Sequence, residues 1–213
     1  MTRPTVLLAD DHQIMAEGLR NLLEPEFEVV EVVADGRELV AAAKKHRPDL
    51  IVADISMPAL NGIEAAVQLR DAGVTSRIVF LTMHREAAYA RRALEAGALG
   101  FVLKHSAPSD LVTALREAQR GQTYVSPMIA GELLESYREA SSKTHDDVSR
   151  LTLRQREVLQ LMAEGRSAKE VAAILKISPR TAEFHRARIL AALEIQTTAE
   201  LVQYAIRHNI ISV

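Results

Sequence analysis

Residues 50–62 read Leu-Ile-Val-Ala-Asp-Ile-Ser-Met-Pro-Ala-Leu-Asn-Gly. A short run of apolar side chains ends abruptly in the carboxylate of Asp54, which is typical of a strand in a parallel sheet that is buried on both faces. Pro58 stiffens the loop that follows, Asn61 suits the amino-terminal cap of a helix, and Gly62 permits a close approach of backbones. The segment therefore predicts a strand, a tight loop and the start of a helix.

Four more apolar runs of this kind occur in the first 124 residues, separated by amphipathic helical patterns. They are Thr5 to Ala9, Phe27 to Val33, Arg77 to Leu81 and Leu99 to Leu103. Strands that alternate with helices indicate an α/β fold, because parallel strands need long crossover connections. We predict a five-stranded, doubly wound parallel sheet of the flavodoxin-like type over residues 1–124.

The rest of the chain contains only helical patterns. One helix is predicted from Pro127 to Arg138, within a polar stretch at residues 125–147 that is interpreted as a linker. Residues 148–213 accommodate four helices of modest length, which predicts a small all-α domain. Its helix starts are marked by capping boxes beginning at Thr152, Ser167 and Thr197, and by Ser178 ahead of Pro179.

Composition excludes several classes of protein. The 213 residues contain no cysteine, so neither disulfides nor thiolate metal sites are available. The first residues do not resemble a signal peptide, and no apolar stretch reaches membrane-spanning length, so we expect a cytoplasmic protein without membrane partners. Residues 148–213 carry ten Lys and Arg against six Asp and Glu, whereas the remainder carries 16 against 22. The charge distribution therefore favours a polyanionic partner for the carboxy-terminal part alone.

Polar residues follow four of the predicted strands. They are Asp10, Asp11, Asp54, Thr82 and Lys104. Ligands of open parallel sheets bind at the carboxyl ends of the strands, so these side chains are expected to meet in one pocket. Any one of these residues alone would more often be a helix cap or a turn residue. All five, in this order after the predicted strands, would rarely occur by chance. Clustered carboxylates repel one another unless a cation compensates, and a hard divalent ion such as Mg²⁺ prefers oxygen ligands.

These residues, together with the segment from Asp54 to Gly62 and the run Gly100-Phe-Val-Leu-Lys104, resemble the receiver domain of two-component response regulators. The resemblance implies that Asp54 is the phosphoacceptor for a sensor histidine kinase. It implies a Mg²⁺ or Mn²⁺ site formed by Asp11, Asp54 and the backbone carbonyl of Ser56, with Asp10 assisting. Thr82 and Lys104 would support phosphoryl transfer, while Thr82 and the aromatic ring of Phe101 would form the conformational switch.

Residues from Leu151 to Thr181 resemble the LuxR/NarL-type helix-turn-helix, which implies binding to duplex DNA as a homodimer. On the helix that starts near Pro179, Ala182, Ile189 and Leu193 form a packing stripe. The opposite face would enter the major groove. The predicted DNA-binding residues are Lys169, Ser178, Arg180, Thr181, Glu183, Phe184, Ala187 and Arg188.

Phe184 is the most informative residue of that set, because an exposed phenylalanine on a polar helix face needs a partner. A thymine methyl group in the major groove is one such partner. Packing against the linker or against a second subunit is the alternative.

The prediction is a transcriptional response regulator, not a conventional enzyme, in which phosphorylation of Asp54 controls dimerisation and promoter binding. One alternative keeps the fold but makes DNA binding independent of phosphorylation. A second alternative is a flavodoxin-like phosphatase, yet such enzymes carry a second acid two residues after the nucleophile, where this chain has Ser56. An RNA-binding output is disfavoured by the lack of interleaved aromatic residues.

Overall fold

The computed structural model describes residues 3–106, 108–140, 151–208 and 210–211. The chain divides into two compact units, Met1–Ser142 and Lys143–Val213. Among the described residues, no helix combines the length and apolarity that crossing a membrane would require.

The first unit is a parallel sheet with helices on both faces. Its elements are β1 (Thr5–Ala9), α1 (Gln13–Leu23), β2 (Glu28–Val33), α2 (Gly36–His46), β3 (Leu50–Ala53), α3 (Gly62–Asp71), β4 (Arg77–Thr82), α4 (Ala87–Glu95), β5 (Gly100–Leu103), α5 (Pro108–Gln119), β6 (Tyr124–Val125) and α6 (Pro127–Ala140). The strand order is β2-β1-β3-β4-β5-β6, and every neighbouring pair is parallel. The α/β architecture is thus confirmed, but with six strands and not five. The two residues of β6 are too few to carry a sequence pattern.

Burial on both faces explains why the strands are continuously apolar. In β1, Val6 and Leu8 pack in one hydrophobic cluster, while Leu7 and Ala9 pack in another on the opposite side of the sheet. Successive side chains of a strand point to opposite faces, so both faces of a covered sheet demand apolar residues. Helices α1 and α5 contribute to the first cluster, and α2, α3, α4 and α6 contribute to the second.

Helix α6 belongs to the first unit. The sequence assigned it to a linker, but the structure buries its Ile129 and Leu133 in the same cluster as Tyr89 and Ala93 of α4. The sequence did not predict this contact, because a helix with only two buried positions has nearly the same pattern as an exposed linker helix. The polar residues that follow it also favoured a linker.

The second unit contains α7 (Leu153–Ala163), α8 (Ala168–Leu175), α9 (Pro179–Ala192) and α10 (Thr198–Arg207). The three predicted capping boxes, at Thr152, Ser167 and Thr197, are all present. Ser178 caps α9, since its Oγ accepts a hydrogen bond of 3.0 Å from the backbone N–H of Thr181. Local capping chemistry therefore sets the helix starts of this unit.

Candidate functional site

The sheet topology brings four polar residues together at the carboxyl ends of the strands. Asp10 and Asp54 follow the adjacent strands β1 and β3, Thr82 ends β4, and Lys104 follows β5. Backbone hydrogen bonds continue past the strand ends: the N–H of Asp54 donates to Ala9 at 2.8 Å, and that of Lys104 donates to Thr82 at 2.8 Å. The carboxyl ends of parallel strands meet at one edge, which is where the sequence placed the pocket.

Lys104 ties two buried carboxylates together. Its Nζ lies 2.6 Å from Asp10 Oδ2 and 2.7 Å from Asp54 Oδ2, and the Lys104 side chain is only 3% exposed. Burial raises the pKa of Asp54 above its ordinary value by more than the charge of Lys104 lowers it. Burial alone would lower the pKa of Lys104, but the charges and hydrogen bonds of the two carboxylates raise it above its ordinary value. The side chain of Lys104 is therefore positively charged.

Asp11 completes an acidic cluster at the mouth of the pocket. One donor atom from each of Asp10, Asp11, His12 and Asp54 lies within 4.8 Å of the others. Three carboxylates so close together fit a hard divalent ion such as Mg²⁺. His12 Nδ1 lies 2.9 Å from Asp11 Oδ1 and 3.2 Å from Asp10 Oδ1. The sequence interpretation missed His12, although its position directly after the two aspartates was the available signal.

A second histidine lies on the other side of Asp54. The backbone N–H of Ser56 donates to Asp54 Oδ1 at 3.2 Å, while the Ser56 hydroxyl and His84 Nε2 form a hydrogen bond of 2.6 Å. The His84 ring stacks on Tyr89 with centroids 3.9 Å apart. Burial lowers the pKa of His84. Sequence reasoning missed both aromatic residues, because nothing local links a residue after β4 to the loop after β3.

The two predicted switch residues are buried. The Thr82 hydroxyl accepts a hydrogen bond of 3.2 Å from the backbone N–H of His84. The Phe101 ring points into the core, and its backbone is paired with Phe80 on one side and Val125 on the other. The inward position of the ring is one of the two that a switch would need, and the switching role of Phe101 stays a prediction.

The loop after Asp54 is held by close backbone contacts. Asn61 Oδ1 accepts from the backbone N–H of Glu64 at 2.9 Å and caps α3. A Cβ atom at Gly62 would overlap the carbonyl oxygen of Asp54 and would lie 3.0 Å from the Phe80 ring. Both features agree with the roles that the sequence indicated for them.

The exposed face of α9 carries the residues predicted to contact DNA. Ala182 and Ile189 are buried, whereas Phe184 is 55% exposed. The exposed side chains are Lys169 of α8 and Arg180, Glu183, Phe184, Ala187 and Arg188 of α9. The Arg188 guanidinium lies 5.3 Å from the centre of the Phe184 ring, and Glu183 lies 3.6 Å from Arg186. An aromatic ring between basic side chains on an open helix face suits a nucleic-acid surface.

The hydroxyl groups of Ser178 and Thr181 serve the helix start. They lie 2.8 Å apart, and the Ser178 hydroxyl also caps α9. Both residues are in the predicted DNA-binding set, and the structure gives them capping contacts at the end of the helix that would face the groove.

Arg154 of α7 fixes the turn between α8 and α9, a residue that the sequence interpretation missed. Its guanidinium donates to Glu157 at 2.6 Å and to the carbonyl of Leu175, the last residue of α8, at 2.7 Å. A carbonyl at a helix end lacks an intrahelical partner, so this contact stabilises the turn that positions α9.

Helix α10 packs through one apolar face. Leu201, Tyr204 and Ala205 are buried, whereas Ile206 is 39% exposed. The ring of Tyr204 also stacks on that of His208.

Comparison with known families decides the identity of both units. Residues 6–116 match the family model of the response regulator receiver domain, and residues 149–205 match that of the bacterial regulatory proteins of the luxR family. The chain is a LuxR-type response regulator. It joins a receiver domain to a DNA-binding domain and is a transcriptional regulator, not a conventional enzyme.

Individual relatives share this arrangement over nearly the whole chain. The oxygen regulatory protein NreC of Staphylococcus carnosus is 31% identical, over 97% of this chain and 98% of its own. The transcriptional regulatory protein YxjL of Bacillus subtilis is 34% identical, over 97% of this chain and 96% of its own. A solved structure of RcsB dimers bound to DNA is 28% identical with a TM-score of 0.60, over 95% of this response regulator and 98% of that chain.

Proposed function

We propose that Asp54 accepts a phosphoryl group from a sensor histidine kinase, and that this modification controls promoter binding by the carboxy-terminal domain. The observation that carries the proposal is the placement of Lys104 Nζ, 2.6 and 2.7 Å from the carboxylates of Asp10 and Asp54 at the carboxyl edge of the sheet. A buried carboxylate can act as the nucleophile that accepts a phosphoryl group. The neighbouring lysine can stabilise the negative charge on the phosphoryl oxygens, and a second acid lies beside both.

The transfer forms a bond between an Asp54 carboxylate oxygen and phosphorus, and it breaks the phosphorus–nitrogen bond of a phosphohistidine. The released imidazole takes up a proton. Lys104 donates a hydrogen bond of 2.7 Å to Asp54 Oδ2. After transfer, its ammonium group would bind the negatively charged phosphoryl oxygens. The Thr82 hydroxyl, at the end of the neighbouring strand, donates to the same group.

Asp11, Asp54 and the backbone carbonyl of Ser56 would hold Mg²⁺ or Mn²⁺, with Asp10 assisting. When bound, the ion neutralises charge on the phosphoryl oxygens. The clustering of Asp10, Asp11 and Asp54 within 4.8 Å supports this assignment. In this proposal the receiver promotes only its own phosphorylation and dephosphorylation.

The DNA-binding domain would place α9 in the major groove, with Phe184 toward bases and Arg180, Arg188 and Lys169 toward phosphates. In its solved complex, RcsB lies on DNA as dimers. We propose the same for this chain: a homodimer that meets two half-sites related by twofold symmetry.

Labelling with acetyl phosphate and Mg²⁺, measured by intact mass, tests the proposal. In this reaction a phosphorus–oxygen bond breaks and acetate leaves. The wild type should gain one phosphoryl group and Asp54→Asn should gain none. Asp71→Asn, at the exposed end of α3, is the matched control and should label normally.

Selection of DNA from a random pool, with and without beryllium fluoride, then tests the output. Enrichment of a sequence only when the pocket is loaded supports phosphorylation-controlled binding. Equal enrichment in both arms favours the phosphorylation-independent alternative, and steady release of phosphate from small esters favours the phosphatase.

A further inference from the structure

Helix α6 is docked on the receiver by one narrow face. Leu133 is 6% exposed and Ile129 is also buried, whereas the adjacent Leu134 is 63% exposed. The two buried residues pack in the cluster that contains Tyr89 and Ala93 of α4. The helix therefore has one apolar contact face, and that face lies on α4.

The start of α6 is bonded to the backbone of β5. Ser126 is fully buried, and its backbone N–H donates to the carbonyl of Phe101 at 2.9 Å. Its Oγ accepts a hydrogen bond of 3.1 Å from the N–H of Leu103. Leu103 is the residue immediately before Lys104, whose own N–H is bonded to Thr82. The backbone that carries the pocket lysine is thus linked through Leu103 to Ser126, the residue just before α6.

A second path reaches α6 from the other side of the pocket. Ser56 contacts Asp54 through its backbone and His84 through its hydroxyl, and the ring of His84 stacks on Tyr89. Tyr89 shares its hydrophobic cluster with Ile129 of α6. Both elements that hold α6, namely β5 and α4, are therefore linked to the pocket, β5 through Lys104 that follows it and α4 through the stacking of Tyr89 on His84.

A phosphoryl group on Asp54 would change the charge and the hydrogen-bond acceptors in the pocket. It brings additional negative charge and three acceptor oxygens to a place where Lys104 is now shared between two carboxylates. Lys104 and Thr82 would both turn toward the new oxygens. The Thr82 hydroxyl also holds the N–H of His84 at 3.2 Å, so the loop before α4 must adjust with it.

We propose that α6 reports the state of the pocket: it is docked on α4 while Asp54 is unmodified, and it is released when Asp54 carries a phosphoryl group. This inference rests on the proposed function of Asp54. Helix α6 is the last element of the first unit, and the chain continues from it to the DNA-binding unit. Release of α6 is therefore a change at the covalent connection between sensor and output.

Hydrogen exchange of the full chain, with and without Mg²⁺ and beryllium fluoride, tests the proposal. We expect amides of α6 to exchange at least tenfold faster when the pocket is loaded, whereas those of α2 remain unchanged. Asp54→Asn should show no response. Unchanged or increased protection of α6, in a protein whose Asp54 labels normally, overturns the inference and leaves the proposed function intact. Absence of labelling at Asp54 refutes the proposed function itself.

Linkage supplies a second and reciprocal test. If loading releases α6, then weakening its docking must tighten the binding of beryllium fluoride, because undocking then costs less free energy. Leu133→Ala should bind it several-fold more tightly in a ¹⁹F NMR titration, and the matched variant Leu134→Ala should bind like the wild type. Ile129→Val is a milder change that keeps the fold and should shift affinity less, in the same direction. Equal or weaker binding by both core variants overturns the proposal.

Discussion

Gly62 packs directly against the backbone of the proposed phosphoacceptor Asp54, so the effect of replacing it by alanine can be estimated from the structure. A Cβ atom at this position would overlap the carbonyl oxygen of Asp54, and it would lie 3.1 Å from the carbonyl carbon and 3.0 Å from Phe80 Cε1. The opposing atoms are backbone and a fully buried ring, so neither can rotate away. The start of α3 and the end of β3 must therefore move apart.

The expected displacement is about 1 Å, and forcing a methyl group into a well-packed interior costs about 1–3 kcal/mol. With a urea dependence of about 1–3 kcal/mol per molar, the unfolding midpoint of the first unit should fall by about 1 M. A displacement of about 1 Å at a reacting group can reduce a rate roughly 100-fold. We expect Gly62→Ala to label with acetyl phosphate far more slowly than its loss of stability alone would explain.

The matched control is Gly18→Ala in the interior of α1, where an added Cβ meets nothing within 4 Å. Alanine is the better helix former, so this variant should gain about 0.5–1 kcal/mol and label normally. Urea titration read by pulsed hydrogen exchange in β3 and β4 reports the first unit, and intact mass reports labelling. Equal midpoints and equal labelling rates for the two variants would refute the packing argument.

Two further predictions concern DNA and acid. If Phe184 contacts a thymine methyl group, replacing thymine by deoxyuridine in the selected DNA removes about 0.8 kcal/mol, or roughly fourfold in affinity. Phe184→Ala should not sense that replacement in a fluorescence-anisotropy titration, and equal sensitivity of both proteins would contradict the contact. The Asp49 carboxylate accepts hydrogen bonds of 2.8 Å from the backbone N–H and the hydroxyl of Thr5, which lower its pKa below the ordinary value. A depressed folded-state pKa gives stability that is present above the unfolded value and lost as pH falls through the folded one. Asp49→Asn should therefore be less stable than wild type near neutral pH, with the difference in urea midpoint shrinking below about pH 4. A difference that grows on acidification would show the opposite linkage.

Five of the six strands, the helix starts of the second unit and the pocket residues were predictable, because each is encoded within a few neighbouring positions. Leu50 to Ala53 is apolar because both of its faces are covered, and Ser167 with Glu170 forms a capping box within four residues. The pocket followed from one topological rule, that parallel strands present their carboxyl ends at a common edge. Asp10, Asp54, Thr82 and Lys104 could therefore be gathered without knowing any distance.

Other contacts join residues that no local pattern connects. The pairing of His84 with Ser56, the anchoring of Leu175 by Arg154 and the burial of Ser126 against β5 all depend on where separate elements come to rest. Such contacts depend on packing between elements and leave no periodic trace in the sequence.

By itself, the sequence determined the two classes of fold and the chemistry of the pocket, since hydrophobic period and side-chain type are local properties. Only the tertiary structure decided that α6 lies on α4 and that His84 lies beside the pocket. The physical reason is that the partner of a buried side chain is chosen by shape and distance in the folded molecule, not by separation along the chain.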